Sequence, residues 1–203
     1  MTARSAGLQA FVDAAKVAFS ARAAGEASRA SVSHCFAALA QPGRAGRKAA
    51  ERLPACAHLD TATDPARFGD PDLRDLAVAF RSIEPGLAWH RRSTRGLAAE
   101  ASFADGHANA MIIGPDGMER RSDVWLGVSL LAPHIRYPDH DHPPEETYLV
   151  MSPGEFMQRN GPWFTPGIGG SLHNPPGILH AMRSGPEPLF AFWLLRATGG
   201  GEA

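Results

Sequence analysis

With 203 residues, 44% of them hydrophobic, the chain can bury one main core and a smaller appendage but hardly two independent enzymes. Its 20 Lys and Arg against 21 Asp and Glu leave a net charge of -1, which excludes a strong electrostatic hold on nucleic acid or an anionic membrane and points to a small-molecule partner. Two cysteines, Cys35 and Cys56, match no C-x-x-C spacing and are too few for a disulfide framework, as fits a cytoplasmic protein, with structural burial or a single bridge both open.

The first stretch, Ser5 to Ala24, repeats Leu8, Phe11, Val12, Ala15 and Phe19 at three and four residues, the spacing of an amphipathic helix. Asp13, Lys16 and Arg22 interrupt it, so it lacks the apolar run of a signal peptide or a membrane span. A second helix is expected from about Ser28 to Leu39, stopped by Gln41-Pro42-Gly43, and a third from about Arg44 to Ala57. The fourth has the best start signal: Asp70 as N-cap, Pro71 at the first position, Asp72 in the first turn, then Leu73, Leu76, Ala77 and Phe80.

After Pro85 the pattern changes to short apolar runs bounded by turn residues: Ala108 to Ile113, Val124 to Leu131, Thr147 to Met151 and Leu189 to Leu195. Most of the 21 glycines and 17 prolines fall in this half, as an all-β sandwich or barrel requires. The expected organisation is a helical N-terminal extension over 1-84 and a β-barrel over 85-203. Three roles are open to the extension: capping the barrel, covering a sheet edge, or forming a homodimer interface.

The informative segment is Tyr137-Pro-Asp-His140-Asp-His142-Pro-Pro-Glu145-Glu146-Thr-Tyr148. His140 and His142 are two apart and share a face if extended, and Glu146 follows at the start of the next apolar run. A fourth ligand arrives with His180 after the turn residues Pro175 and Gly177. Imidazoles with one carboxylate suit a divalent transition metal (Zn, Fe, Mn, Co or Ni) better than Ca or Mg, and they leave positions open for water or substrate.

On these residues the chain resembles the cupin superfamily, whose first motif ends in H-x-H-x3-E and whose second contains G-x5-P-x-G-x2-H, here Gly169, Pro175, Gly177 and His180. The resemblance implies a mainly β fold, the cupin β-barrel or double-stranded β-helix, carrying the metal site. Three positions depart from the pattern. His134 stands where a glycine is usual, the glycine after the glutamate comes late at Gly154, and Ser184 replaces an asparagine.

The chain's two tyrosines, Tyr137 and Tyr148, flank the H-x-H pair. A positive charge nearby favours a phenolate by lowering a pKa that starts near ~10, which would make such a residue a base; packing in the barrel is the bland alternative. With Glu146-Thr-Tyr148 and the upstream Tyr137, residues 120 to 196 look like the cupin-type dimethylsulfoniopropionate (DMSP) lyases, most like their DddQ branch. That resemblance implies Tyr148 as catalytic base, Tyr137 as an aid to binding or proton transfer, and β-elimination of DMSP to dimethyl sulfide and acrylate. Aromatic faces would hold the sulfonium, and Trp125, Trp163, Trp193, Phe164 and Phe192 are candidates beside their core-packing alternative. Two other classes fit the same quartet: a cupin dioxygenase or isomerase acting on another small substrate, and a non-catalytic small-molecule-binding cupin.

Overall fold

The computed structural model describes residues 4–92 and 101–197, apart from the side chain of Ala101. Helix α1 spans Ala6–Arg22 and starts where Ser5 Oγ accepts the Leu8 amide; α2 spans Glu26–Leu39. Strand β1, Arg44–Ala45, is followed by the short helix α3, Leu59–Ala62, and by α4, Pro71–Ile83, which Asp70 caps by accepting from the Asp72 amide at 2.9 Å. The remaining order is β2 (Trp89–His90), α5 (Ala101–Gly106), β3 (His107–Ile113), β4 (Glu119–Arg120), β5 (Val124–Leu131), β6 (Arg136–His140), β7 (Glu145–Val150), β8 (Glu155–Gln158), β9 (Ser171–Asn174), β10 (His180–Arg183) and β11 (Leu189–Arg196).

The expected third helix does not form. Arg44 and Ala45 instead pair with Arg120 and Glu119 of β4, and only Pro54–His58 winds into a 3₁₀ turn. Gly46 explains the difference, since its amide bonds Met118 O at 2.7 Å and a Cβ there would lie 1.9 Å from Gly117 O. Pairing at a sheet edge overrides the helical propensity of the Ala and Arg residues.

One sheet runs β1-β4-β3-β5-β11-β7-β9 with β2 added on β3, and a smaller one runs β6-β10-β8. Apart from the single parallel register pair Ile113 with Glu119, the named pairings are antiparallel. The strands thus form the cupin barrel behind a helical extension that the resemblance implied. Alternation along the large sheet divides two cores. Phe190, Phe192 and Leu194 of β11 join the helix-facing core with Phe11 and Phe80, whose rings lie 5.2 to 6.3 Å from one another or from these strand rings. Leu189 and Ala191 join the barrel core with Tyr137, Tyr148, Val150 and Phe156.

The three motif departures have structural readings. His134 adopts φ 61°, the left-handed conformation for which glycine is the usual residue. Ser184 Oγ donates to Ala132 O at 2.6 Å and accepts the Ile135 amide at 2.9 Å, tying the entry of β6 to the exit of β10. At Gly154 a Cβ would lie 2.2 Å from Leu189 Cδ1, so the late glycine lets the β8 entry close on the start of β11.

Candidate metal centre and active-site cavity

The site is built between the two sheets, and the registers bring its parts together. His140 ends β6 and pairs directly with His180, the first residue of β10, which sets their ring centroids 4.0 Å apart. Glu146 lies on β7 of the other sheet, opposite Asn174 of β9. His142 sits in the connection from β6 to β7 and therefore spans the two sheets. The shared strand face expected of His140 and His142 is not the device used, because β6 stops at His140 and Pro143-Pro144 turn the chain.

Three ligand groups converge. One potential ligand atom from each of His142, Glu146 and His180 lies within 4.8 Å of the other two. His142 Nε2 and His180 Nε2 stand 3.4 and 3.3 Å from Glu146 Oε2. His140 is not part of this tightest group, although its ring lies beside His180.

The donor chemistry fits a transition metal. His140, His142 and His180 each present Nδ1 to a backbone carbonyl, of Pro138, Pro144 and Ile178, at 2.8, 2.9 and 2.9 Å. A carbonyl can only accept, so Nδ1 holds the proton and the lone pair is left on Nε2. This is the outer-shell arrangement that prepares a histidine for metal. His142 Nε2 and His180 Nε2 are buried and have no hydrogen-bond partner, although such atoms normally find one. Glu146 is oriented in the same way: Asn174 Nδ2 donates to its Oε2 at 2.9 Å, and Gln158 Nε2 fixes the Asn174 amide at 2.6 Å.

Burial would raise the Glu146 carboxyl, but the neighbouring His142 and His180 overcome it and hold the pKa well below the ordinary range. Burial would lower His142, and the Glu146 carboxylate raises it instead. His140 is pushed down to about 3 by burial and by repulsion from His180 and Arg92, so its imidazole is neutral.

A cavity of about 820 Å³ opens on this cluster, lined by His140, His142, Glu146, Tyr137, Tyr148, Trp125 and Trp193 among others. A second depression of about 930 Å³, along Gln41 to Arg44 and Arg120 to Asp123, holds neither histidine nor tyrosine. Tyr148 follows Glu146 by two on β7 and shares its inward face; both are 3% exposed. Burial first, then the Glu146 charge, raise the Tyr148 phenol well above its ordinary value. Tyr137 Oη accepts from Asn109 Nδ2 at 3.0 Å, and burial raises its pKa as well.

The aromatic candidates separate. Trp125 and Trp193 line the cavity. Trp163 does not; its ring lies under the guanidinium groups of Arg183 and Arg136, at 4.2 and 5.8 Å, so it is a cation-stacked residue outside the site. Phe164 is 36% exposed and Phe192 belongs to the helix-facing core.

Four contributors escaped the sequence reading: Asn174 and Gln158, which orient Glu146, Asn109, which holds Tyr137, and Arg92 at the cavity wall. Asn109 carried a signal, as the polar member of the apolar run Ala108 to Ile113. The Asn174 and Gln158 contacts depend on registers that no local pattern reveals.

Comparison with known proteins gives a consistent picture. A family model described as dimethylsulfoniopropionate lyase matches residues 27–191. The dimethylsulfoniopropionate lyase DddQ of Ruegeria pomeroyi is 27% identical over 146 residues, 71% of each chain. Among solved structures, one from the work on the DMSP lyases RdDddP and RnDddQII superposes with TM-score 0.72 at 23% identity, covering 98% of this chain and 96% of that one. The crystal structure of DMSP lyase DddQ from Ruegeria pomeroyi DSS-3 gives 0.70 at 20% identity, covering 98% and 95%. At these identities the two superpositions speak for the fold.

Proposed function

The chain belongs to the cupin-type dimethylsulfoniopropionate lyase family, and from that premise we propose that it cleaves DMSP to dimethyl sulfide and acrylate, with Tyr148 as the base. One observation carries the reading: a single cavity is lined by His142, Glu146, two buried tyrosines and two tryptophans, with His180 behind the wall 3.3 Å from Glu146 Oε2. DMSP needs these features together, because it is a zwitterion with a carboxylate two methylenes from a dimethylsulfonium.

In this reading His142, Glu146 and His180 hold the divalent metal, with His140 as fourth ligand. When bound, a transition metal supplies a Lewis acid for the carboxylate and a positive charge that favours a nearby phenolate. Tyr148 takes the proton from the carbon next to the carboxylate. That C–H pair becomes the C=C bond of acrylate, the C–S bond breaks, and its electrons leave on sulfur as neutral dimethyl sulfide. Tyr137, held by Asn109, assists binding or proton transfer. Trp125 and Trp193 offer the faces on which a weakly hydrated sulfonium rests.

The direct test is release of dimethyl sulfide, measured by gas chromatography, from purified protein given DMSP and a divalent metal. Release above a chelated control is expected, and none would overturn the reading. Turnover with redox-inert Zn(II) favours elimination, whereas dioxygen consumption with Fe(II) would move the protein to an oxidative cupin class.

A further inference from the structure

We propose that Arg92 is a second recognition point for the substrate's carboxylate, so that the cavity grips an anionic end with a guanidinium while it receives a cationic end on aromatic rings. The proposal deepens the lyase reading and rests on it only for the identity of the substrate.

Arg92 lines the cavity and is half-buried, with its guanidinium carbon 6.0 Å from the centre of the Tyr137 ring. Its neighbour Arg91 pairs with Asp105 at 2.6 Å, but among the described residues no carboxylate pairs with Arg92. Its guanidinium meets only neutral partners there, the hydroxyl and ring of Tyr137, and a cation at a partly buried wall with no carboxylate among the described residues is costly.

The chain nevertheless holds it in place. The Arg92 amide donates to His107 Nε2 at 3.0 Å, while His107 Nδ1 donates to Phe103 O. His107 is 1% exposed, so a buried histidine commits both nitrogens to fixing this stretch of backbone. Its ring stacks on Phe103 at 3.8 Å and meets Tyr137 edge-on at 5.6 Å, joining the Arg92 support to the Tyr137 wall.

A ligand carboxylate would complete the missing pair, and the planar fork of a guanidinium suits it bidentately. The same charge repels a sulfonium, which is left to the faces of Trp125 and Trp193. For a zwitterion with a two-methylene spacer, this fixes which end enters first. Arg92 is thus a positioning residue and a filter for substrates that carry an anion.

The test separates the two ends. Zinc-loaded protein is titrated by calorimetry with propionate, a carboxylate without sulfonium, and with trimethylsulfonium, a cation without carboxylate. Arg92→Gln should raise the propionate Kd about tenfold or more and leave trimethylsulfonium binding equal or tighter. Propionate binding within twofold of the unaltered protein, or no measurable propionate binding by the unaltered protein, overturns the proposal. Should Arg92→Gln not fold, Arg92→Lys serves instead: it keeps the charge, loses the fork and should weaken propionate about threefold, with no change again the overturning result. None of these titrations needs turnover. Absent dimethyl sulfide release would therefore end the lyase reading and leave this one standing, and an unchanged propionate Kd would do the reverse.

Discussion

The two faces of the large sheet are made by the same strands yet differ in how many buried polar atoms they leave without a partner, Ser31 Oγ of α2 being the exception on the helix side. On the side where the helices pack, rings of Phe11, Phe80, Phe190 and Phe192 fill the space, and nearby buried carboxylates are satisfied. Glu84 accepts from Trp89 Nε1 and Arg52, and Glu119 accepts from Arg4 and the Gly43 amide. Inside the barrel, His90 Nδ1, Asn109 Oδ1, Trp125 Nε1 and His142 Nε2 are buried without partners at the cavity wall, and His180 Nε2 is so beside Glu146. Unspent lone pairs and N–H groups are expensive, and most of those among the described residues gather at the cavity. Stability therefore resides on one face and binding capacity on the other, separated by the two-residue period of a strand.

The largest effect that would sharpen this division is at Tyr148. Tyr148→Phe keeps the ring in the barrel core and removes only the hydroxyl, so turnover of DMSP should fall by about 10⁴-fold, roughly 5.4 kcal/mol of barrier. Zinc content by mass spectrometry and the melting temperature should hold. A large fall in melting temperature would make Tyr148 a structural residue and erase the division.

Phe192 tests the other face. Its ring is buried and touches the rings of Phe11, Phe80 and Phe190. Phe192→Ala should cost about 4 kcal/mol in a urea titration, while turnover per folded molecule stays within about twofold. Loss of turnover in the folded variant would show that the adjacent Trp193, and with it the cavity, depends on helix-side packing.

What could be read from the sequence follows the same division. Helices α1, α2 and α4 and strands β3, β5, β7 and β11 were legible because each repeats apolar residues at its own period. The motif residues were legible because chemistry demands particular side chains at short spacing. Strands β6, β8, β9 and β10 were not, since they have four or five residues and mixed polarity. With them went the registers that place Asn174 on Glu146 and His180 on His140. Arg92 was invisible for another reason: it stands among arginines that read as surface, and only the fold puts one of them over a tyrosine.

A third prediction concerns the satisfied side. Arg4 Nε and Glu119 Oε2 are 2.6 Å apart, with side chains 2% and 4% exposed. Arg4→Met would leave the carboxylate with little beyond the Gly43 amide and Arg121, costing about 3 kcal/mol at pH 7. Burial would raise the Glu119 pKa, but Arg4, Gly43 and Arg121 hold it below the ordinary value. A depressed folded pKa contributes stability above the unfolded pKa and loses it as pH falls through the folded value. The urea midpoints of the variant and the unaltered protein should therefore converge on acidification below about pH 4. A difference that persists undiminished would mean that Arg4 acts through packing rather than charge.

The smallest effect expected lies where the two faces meet, at Gly127. This residue is the β5 partner of Trp193 on β11, and a Cβ there would sit 2.2 Å from the Trp193 ring and 2.5 Å from Ala110 O. The absence of a side chain is what lets the indole lie across the barrel wall with Nε1 donating to Ser129 Oγ at 3.2 Å. In Gly127→Ala the β3 backbone behind has little room to yield, so the ring moves and that bond is lost. If Trp193 forms part of the sulfonium bed, KM for DMSP should rise about tenfold, roughly 1.4 kcal/mol. Because Tyr148 and the three ligand groups lie on β7, β10 and the β6–β7 connection, kcat should change by less than about threefold. An unchanged KM would remove Trp193 from the bed and leave Trp125. A collapsed kcat would show that the indole also supports Tyr148, its partner across β11 and β7.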